Sequence, residues 1–477
     1  MFTRKAIGNL LNRKYKKSAK LSRTIVFMPS DTYVITDRTI KEPPVSFLQK
    51  LKFLGPGFIL SASIVGSGEL IATTTLGAKA GFIAFWIIIV SCLVKVAVQL
   101  EFGKRAILTG QTAMRSFNEL PGPRQGKVNW LVWVVFILIA LKIVQIGGIL
   151  GVTAIVLNML FPPVPVYAWA FVMALLASAL IYKGYYNVIE KASLVMIAGF
   201  TIATIAAVFM LQFTIFSFSW ADVLHGLEFQ FPPAIVAVAF GAFGITGVGA
   251  DEIIAYNYWC IEKGYAAYTG PRNNNPEWDK RARGWISVMN LDAVIAMIIY
   301  TIVTAAFYLL GAAVLHNRSA IPEGNKVIET LALIYTQSLG PGARTLYLVG
   351  AFFVLFSSVF ASLAAWTRLF PDIFGQLGWI NFFDLSKRKK VVSWLAWIIP
   401  LVWAMMYLFI KLPVMMIISG GIIGSVLLFV VVFAAVCFHR SRTRFMPSGV
   451  WYNAAFIISV LSIISIGIYG LVQLFSK

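Results

Sequence analysis

The sequence predicts an all-α polytopic membrane protein: about eleven transmembrane helices, arranged as two five-span units of opposite orientation plus one extra helix. Three observations predict it. The 477-residue chain is 59% hydrophobic and only 12% charged, about half the charged fraction of an ordinary soluble domain, and its mean hydropathy is +0.82. Its apolar runs repeatedly reach the roughly 20 residues a helix needs to cross a bilayer. Lys and Arg gather in alternate loops, as they do in segments kept on the cytoplasmic side.

The apolar runs place spans at 54–77, 82–106, 130–160, 165–182, 193–216, 234–260, 285–314, 344–367, 391–410, 412–438 and 450–475. A basic tail with Arg4, Lys5, Arg13, Lys14, Lys16, Lys17, Lys20 and Arg23 precedes the first. Further positive charge follows spans 2, 4, 6, 8 and 10, including the run Lys387-Arg388-Lys389-Lys390. Residues 161–165 and 217–233 carry neither Lys nor Arg, and the loop 315–343 is mixed. The alternation puts the N-terminus in the cytoplasm. It also explains the net charge of +21 without nucleic acid. The tail has no apolar core or cleavage site of a signal peptide, and reads as a cytosolic segment.

Spans 1 and 6 are each interrupted by glycines and acids. Gly66-Ser67-Gly68-Glu69 breaks the first, and Gly247-Val248-Gly249-Ala250-Asp251-Glu252 the second. Five spans run from the first break and five from the second. An odd offset inverts the second unit, which is the arithmetic of an inverted repeat. The expected organisation is a basic cytosolic tail (1–53), a first repeat (54–216), an external loop (217–233), a second repeat (234–438), and a last span with the C-terminus (439–477).

Carboxylates are costly in hydrocarbon and are kept there for function. If the repeats face each other, Glu69, Asp251 and Glu252 converge near the midplane. Unwound backbone at Gly66, Ser67, Thr246 and Gly247 would add carbonyl oxygens. An all-oxygen site suits hard divalent cations. The alternative for Glu69 and Asp251 is to cap half-helix N-termini, where negative charge is favourable. Lys95, Lys142, Gln145 and Asp292, with Glu101, are the other polar groups in or near spans. They read as a network that steers a coupling ion, or more simply as Lys–carboxylate pairs that hold the bundle together. Ser357, Ser358, Ser362 and Thr367 line a hydrated path or join helices. Met415 and Met416 read as packing. His225, His316 and His439 fall in loops or at span ends, which argues against an imidazole metal site. Cys92, Cys260 and Cys437 have no metal or disulfide spacing. Asn317-Arg318-Ser319 fits a glycosylation acceptor on the outer side. No phosphate-cradling loop or covalent chemistry is implied, so the protein is expected to be neither an ATP-driven pump nor an enzyme, and to need no cofactor.

Several of these residues carry a family likeness. Gly55-Pro56-Gly57-Phe58 opens span 1, Leu100-Glu101-Phe102-Gly103 leads to Leu108-Thr109-Gly110 after span 2, Glu190 precedes span 5, and Gly244-Ile245-Thr246 opens the span 6 motif. In these the chain resembles the Nramp family of divalent-metal transporters, which has the LeuT-type five-plus-five fold. The likeness is close over spans 1–6 and general afterwards. The departures are specific. The family's Asp-Pro-Gly-Asn reads Gly66, Ser67, Gly68 and Glu69. Its Met-Pro-His reads Val248, Gly249 and Ala250, and its later span 6 His falls on Ala255. Losing the thioether relaxes discrimination against hard ions. A roomier, glycine-lined site would accept a partly hydrated one.

The resulting expectation is a secondary transporter of divalent cations, Mg²⁺ and/or Mn²⁺, working by alternating access with weak or no proton coupling. It would be a monomer in lipid, in a bacterial inner (plasma) membrane. Two other readings stay open: a symporter of an amino acid or other small organic solute on the same fold, and a metal sensor without turnover.

Overall fold

The computed structural model describes residues 31–182, 186–273, 275–322, 326–340 and 342–476, with backbone but no side chain for Ser67 and for residues 186–194, 196, 197 and 200. The basic tail up to residue 30 and the side chain of Glu190 therefore lie outside the described residues.

The chain is helical almost throughout. The principal helices are α1 (Pro56–Ala80), α2 (Phe85–Thr109), α3 (Trp130–Leu160), α4 (Val166–Tyr182), α5 (Tyr186–Leu211), α6 (Pro233–Glu262), α7 (Pro276–His316), α8 (Ala343–Gln376), α9 (Leu385–Ile410), α10 (Pro413–Thr443) and α11 (Val450–Phe475). Among the described residues, nine of these are long and apolar enough to cross a membrane; α4 is shorter, and α5 runs over residues not fully described. The spans begin and end where local chemistry allows. The side chain of Asn129 accepts the Leu131 N–H at the start of α3, and Asp384 accepts from Ser386 and Lys387 at the start of α9, satisfying orphan first-turn donors. Gly110 ends α2 in the left-handed conformation (φ 64°), which costs glycine nothing.

Two of the loops contain short helices. The outer segment 217–233 contains a short helix, Trp220–His225, closed by a reciprocal Ser219–Asp222 capping box. The mixed loop 315–343 contains the helix Val327–Leu339, with its apolar face buried. A two-residue strand pair, Arg124–Gln125 against Val128–Asn129, is the one sheet among the described residues.

Helices α1, α2 and α6 are the most buried of the long spans, and α9 and α11 stand at the margin, as their low burial shows. The first half of α6 lies backbone to backbone on α10. A Cβ at Gly244 would overlap the Gly421 carbonyl, and one at Gly241 would meet the Ile418 carbonyl at 2.8 Å. Small residues at such crossings let helices approach closely in lipid.

Candidate cation site at the two helix interruptions

The interruption in α6 is a true break. Helix Val236–Ile245 stops and helix Ala250–Glu262 starts anew. Between them Thr246 is extended (φ −74°, ψ 138°), and Gly247 turns back at φ 65°. A side chain at 247 would be strained by that angle and would also sit 3.0 Å from the Cys92 Cα.

The interruption in α1 is not a break, contrary to the expectation of unwound backbone near Gly66 and Ser67. Residues Val65–Thr73 form a widened π-helical segment and the chain stays helical throughout. The widened turns are satisfied internally: the Thr73 hydroxyl donates to the Gly68 carbonyl and the Thr74 hydroxyl to the Glu69 carbonyl, both at 3.3 Å. The glycines serve contact instead. A Cβ at Gly66 would overlap Ser358, and one at Gly68 would meet the Ile245 carbonyl at 2.8 Å. α1 can therefore press its π segment against both α8 and the α6 break.

Glu69 is fully buried. Its carboxylate accepts the Gly247 N–H at 3.0 Å and the Thr73 hydroxyl at 2.9 Å, and the Thr73 and Thr246 hydroxyls lie 3.0 Å apart. Glu69 thus holds the interrupted backbone of α6 at Gly247 rather than capping a half-helix of its own. The opposite end of the break is held from α2. Ser91 and Lys95, four residues apart on one face, both reach the carbonyls of Phe243 and Thr246. Those are orphan acceptors at the negative end of a helix dipole, a natural place for an ammonium. The simple Lys–carboxylate pairing expected of Lys95 is therefore replaced by pairing with main chain.

Asp251 and Glu252 begin the second half-helix, at its positive end. Glu252, not Asp251, supplies the cap, accepting the Gly249 N–H at 2.8 Å. Asp251 pairs with Lys142 of α3, as the pairing expectation for Lys142 has it. Two small cavities meet here and share Ser63, Asp251, Glu252 and Ser362. One runs between α6 and α8 past Trp259 and Trp366; the other reaches Gly68, Lys142 and Gln145. Each holds about 20 Å³, close to the space one water occupies. Both cavities are compact, and α1 touches the α6 break beside them through Glu69.

The lining carries carboxylate, hydroxyl and amide oxygens and no imidazole, thiol or thioether. The Gln145 Oε1 is buried without a hydrogen-bond partner among the described residues. Ser63 went unnoticed in the sequence, although it stands on α1 three residues before Gly66; nothing but the α1–α6 contact selects it from the other serines.

Other candidates lie elsewhere. Glu69 lines neither cavity, and among the described residues no group of three or more His, Cys, Asp or Glu forms a metal cluster. Asp292 accepts the Gly55 and Gly57 N–H groups and caps the start of α1, so it does not join Lys95 and Lys142 in one network. Glu101 is paired with Lys104, Arg442 and His439. Ser357 and Ser358 donate to the Ala62 and Ser63 carbonyls, tying α8 to α1. Thr367 bonds within its own helix. Met415 is exposed and Met416 is in the core.

With this geometry in place, comparison with known proteins is decisive about kinship. The model of the family described as "Natural resistance-associated macrophage protein-like" matches residues 57–473, nearly the whole chain. The chain belongs to the Nramp family. Similar proteins include an uncharacterised protein of Pasteurella multocida, 25% identical over 70% of this chain and 73% of its own length. The divalent metal cation transporter MntH of Bradyrhizobium diazoefficiens is also 25% identical, over 72% and 70%. That of Caldanaerobacter subterraneus is 25% identical over 60% of this chain and 65% of its own length. Among solved structures, a mutant of the Eremococcus coleocola manganese transporter aligns with TM-score 0.59 at 15% identity, covering 92% of this chain and 99% of that one. The nucleobase-cation-symport-1 transporter Mhp1, closed on bromovinylhydantoin, aligns with TM-score 0.54 at 12% identity, over 88% and 92%. At such identities these structures establish the fold, the LeuT-type bundle. Within it this Nramp chain is an integral membrane protein whose span 1 and span 6 motifs are replaced by the contact described above.

Proposed function

We propose that this protein is a secondary transporter of divalent metal cations, Mg²⁺ and/or Mn²⁺, that works by alternating access with weak or no proton coupling. The observation that carries the reading is the cavity shared by Asp251 and Glu252, whose remaining donors (Ser63, Gln145, Ser362) are oxygen-bearing. Hard cations prefer such ligands, and soft ones prefer the thioether this site lacks. The related proteins named as divalent metal cation transporters support the cargo class. In this reading Asp251 and Glu252 bind the ion, and Thr246, Gly247, Gly66 and Ser67 shape the backbone around it. Glu69 braces the two interruptions. Lys142 holds Asp251 while no ion is bound. An inside-negative potential favours entry of a divalent ion by about 4.6 kcal/mol per 100 mV, twice the single-charge value.

Lys142 also favours a second reading. A cavity with one ammonium and two carboxylates is complementary to a zwitterion, and Mhp1 holds an organic ligand on the same fold. Uptake into proteoliposomes separates the two. Saturable Mg²⁺ or Mn²⁺ uptake, driven by potential and indifferent to a pH gradient, is expected. Uptake of Cd²⁺ with strict exclusion of Mg²⁺ would overturn the ion preference, and uptake of labelled amino acids without metal flux would overturn the cargo class.

A further inference from the structure

The face that carries the Lys- and Arg-rich loops has a second cavity, of about 290 Å³, far larger than those at the acids. It opens where the ends of α2 and α10 meet the connector that follows α6. Four guanidiniums line it (Arg105, Arg272, Arg442 and Arg444) against a single carboxylate, Glu101.

That carboxylate is already neutralised. It accepts from Arg442 at 3.1 and 2.9 Å, from Lys104 at 3.1 Å and from the Tyr452 hydroxyl at 2.6 Å. Arg105 is held by Glu119 at 3.0 Å and Gln111 at 2.6 Å. Arg272 and Arg444 have no such partner: among the described residues no carboxylate lies within 4.0 Å of either, and residues 1–30 contain no Asp or Glu at all. The Arg272 guanidinium lies 4.1 Å from the centre of the Phe445 ring. Two unpaired guanidiniums at one mouth repel each other, and a bound oxyanion relieves this. Arg presents a planar fork that matches phosphate oxygens two at a time. The wall between the arginines is apolar, with Leu108, Phe438 and Phe445, as suits a group that is charged at one end only. Basic pockets between transmembrane helices at a cytoplasmic surface face an anionic leaflet.

We propose that this pocket binds a phosphate-bearing anion, with the headgroup of an anionic phospholipid as its occupant in the membrane. The bound phosphate bridges Arg272 on the α6 connector to Arg444 beyond α10, and so ties the connector to the end of α10.

Thermal melting of the detergent-washed full chain, followed by tryptophan fluorescence, tests this. Dioctanoyl phosphatidylglycerol is expected to raise Tm by a few degrees in a saturable way, because a ligand of the folded state stabilises it. Dioctanoyl phosphatidylcholine is expected to do nothing. The variant Arg272→Gln/Arg444→Gln should lose the rise. Should the double variant fail to fold, the exposed Arg444→Gln alone is expected to weaken the phosphatidylglycerol midpoint by about tenfold, the scale of one charge-assisted hydrogen-bonded contact. An equal Tm rise with inorganic phosphate, competing with the lipid, would overturn the lipid as occupant while leaving the phosphate site. A lipid effect that survives both variants, or no effect of either anion, overturns the site itself.

Discussion

Glu69, fully buried, and Glu252, half-buried, both stand beside a helix interruption, and their surroundings give them different tasks. Glu69 lies in a dry contact, where it is the acceptor for Gly247 and Thr73. Glu252 caps Gly249 and still faces the cavity. Gln retains an acceptor oxygen but no charge, so it separates support from ligation. Glu69→Gln is expected to leave cation uptake within about threefold, whereas Glu252→Gln lowers it at least about tenfold, the scale of one lost charge-assisted contact. Glu69→Ala, which strands the buried Gly247 N–H, should destabilise by about 1–3 kcal/mol. Uptake and thermal melting, run together on the three variants, check this. Lys142→Met gives a sharper contrast. It leaves Asp251 without its counter-ion, so the metal-free protein should melt lower, and millimolar Mg²⁺ should restore more Tm than it adds to the wild type. Equal Mg²⁺ shifts in both proteins would remove Asp251 from the ion site. Sequence alone marked these acids because charge is rare in spans; it did not distinguish their tasks, which depend on which side of the α1–α6 contact each oxygen lies.

At the scale of elements, the same glycine-rich composition gave two outcomes. In α6 the backbone takes a positive φ at Gly247, and the helix breaks. In α1 the glycines admit a neighbour, and Thr73 and Thr74 keep the helix closed as a π segment. Glycine permits both, so the choice was not legible from residue type; the threonines five residues on were the missed signal. The crossing of α6 with α10 yields a direct test. Gly244→Ala places a methyl against the Gly421 carbonyl and 2.6 Å from the Ser425 hydroxyl. Backbone cannot step aside, so a loss of about 1–3 kcal/mol is expected. Gly342→Ala, with nothing within 4 Å, is the neutral control. Melting temperatures of the two variants in one detergent decide it. Lys95 belongs to this scale as well: its ammonium completes the C-terminal end of the first α6 half, so the break is stabilised from within the protein at both ends.

For the whole molecule, the alternation of loops rich in Lys and Arg with loops that lack them predicts sidedness. Ser386, beside the Lys387–Lys390 run, and Ser217, in the segment without Lys or Arg, are both exposed. Single cysteines placed there should react with a membrane-impermeant maleimide from opposite sides of intact cells: residue 217 from outside, and residue 386 only after permeabilisation. Labelling of both from one side would refute the orientation.

Hydropathy and charge, which act along the chain, settled by themselves that this is a helical membrane protein, and the glycine–acid motifs marked two helices that depart from regular α geometry. Packing decided the rest. Whether an acid braces a contact or faces a cavity, and whether a lysine meets a carboxylate or a helix end, depend on residues 109 to 178 positions apart touching in low dielectric. There an unmet polar group is expensive, so each finds whichever partner the fold brings within reach.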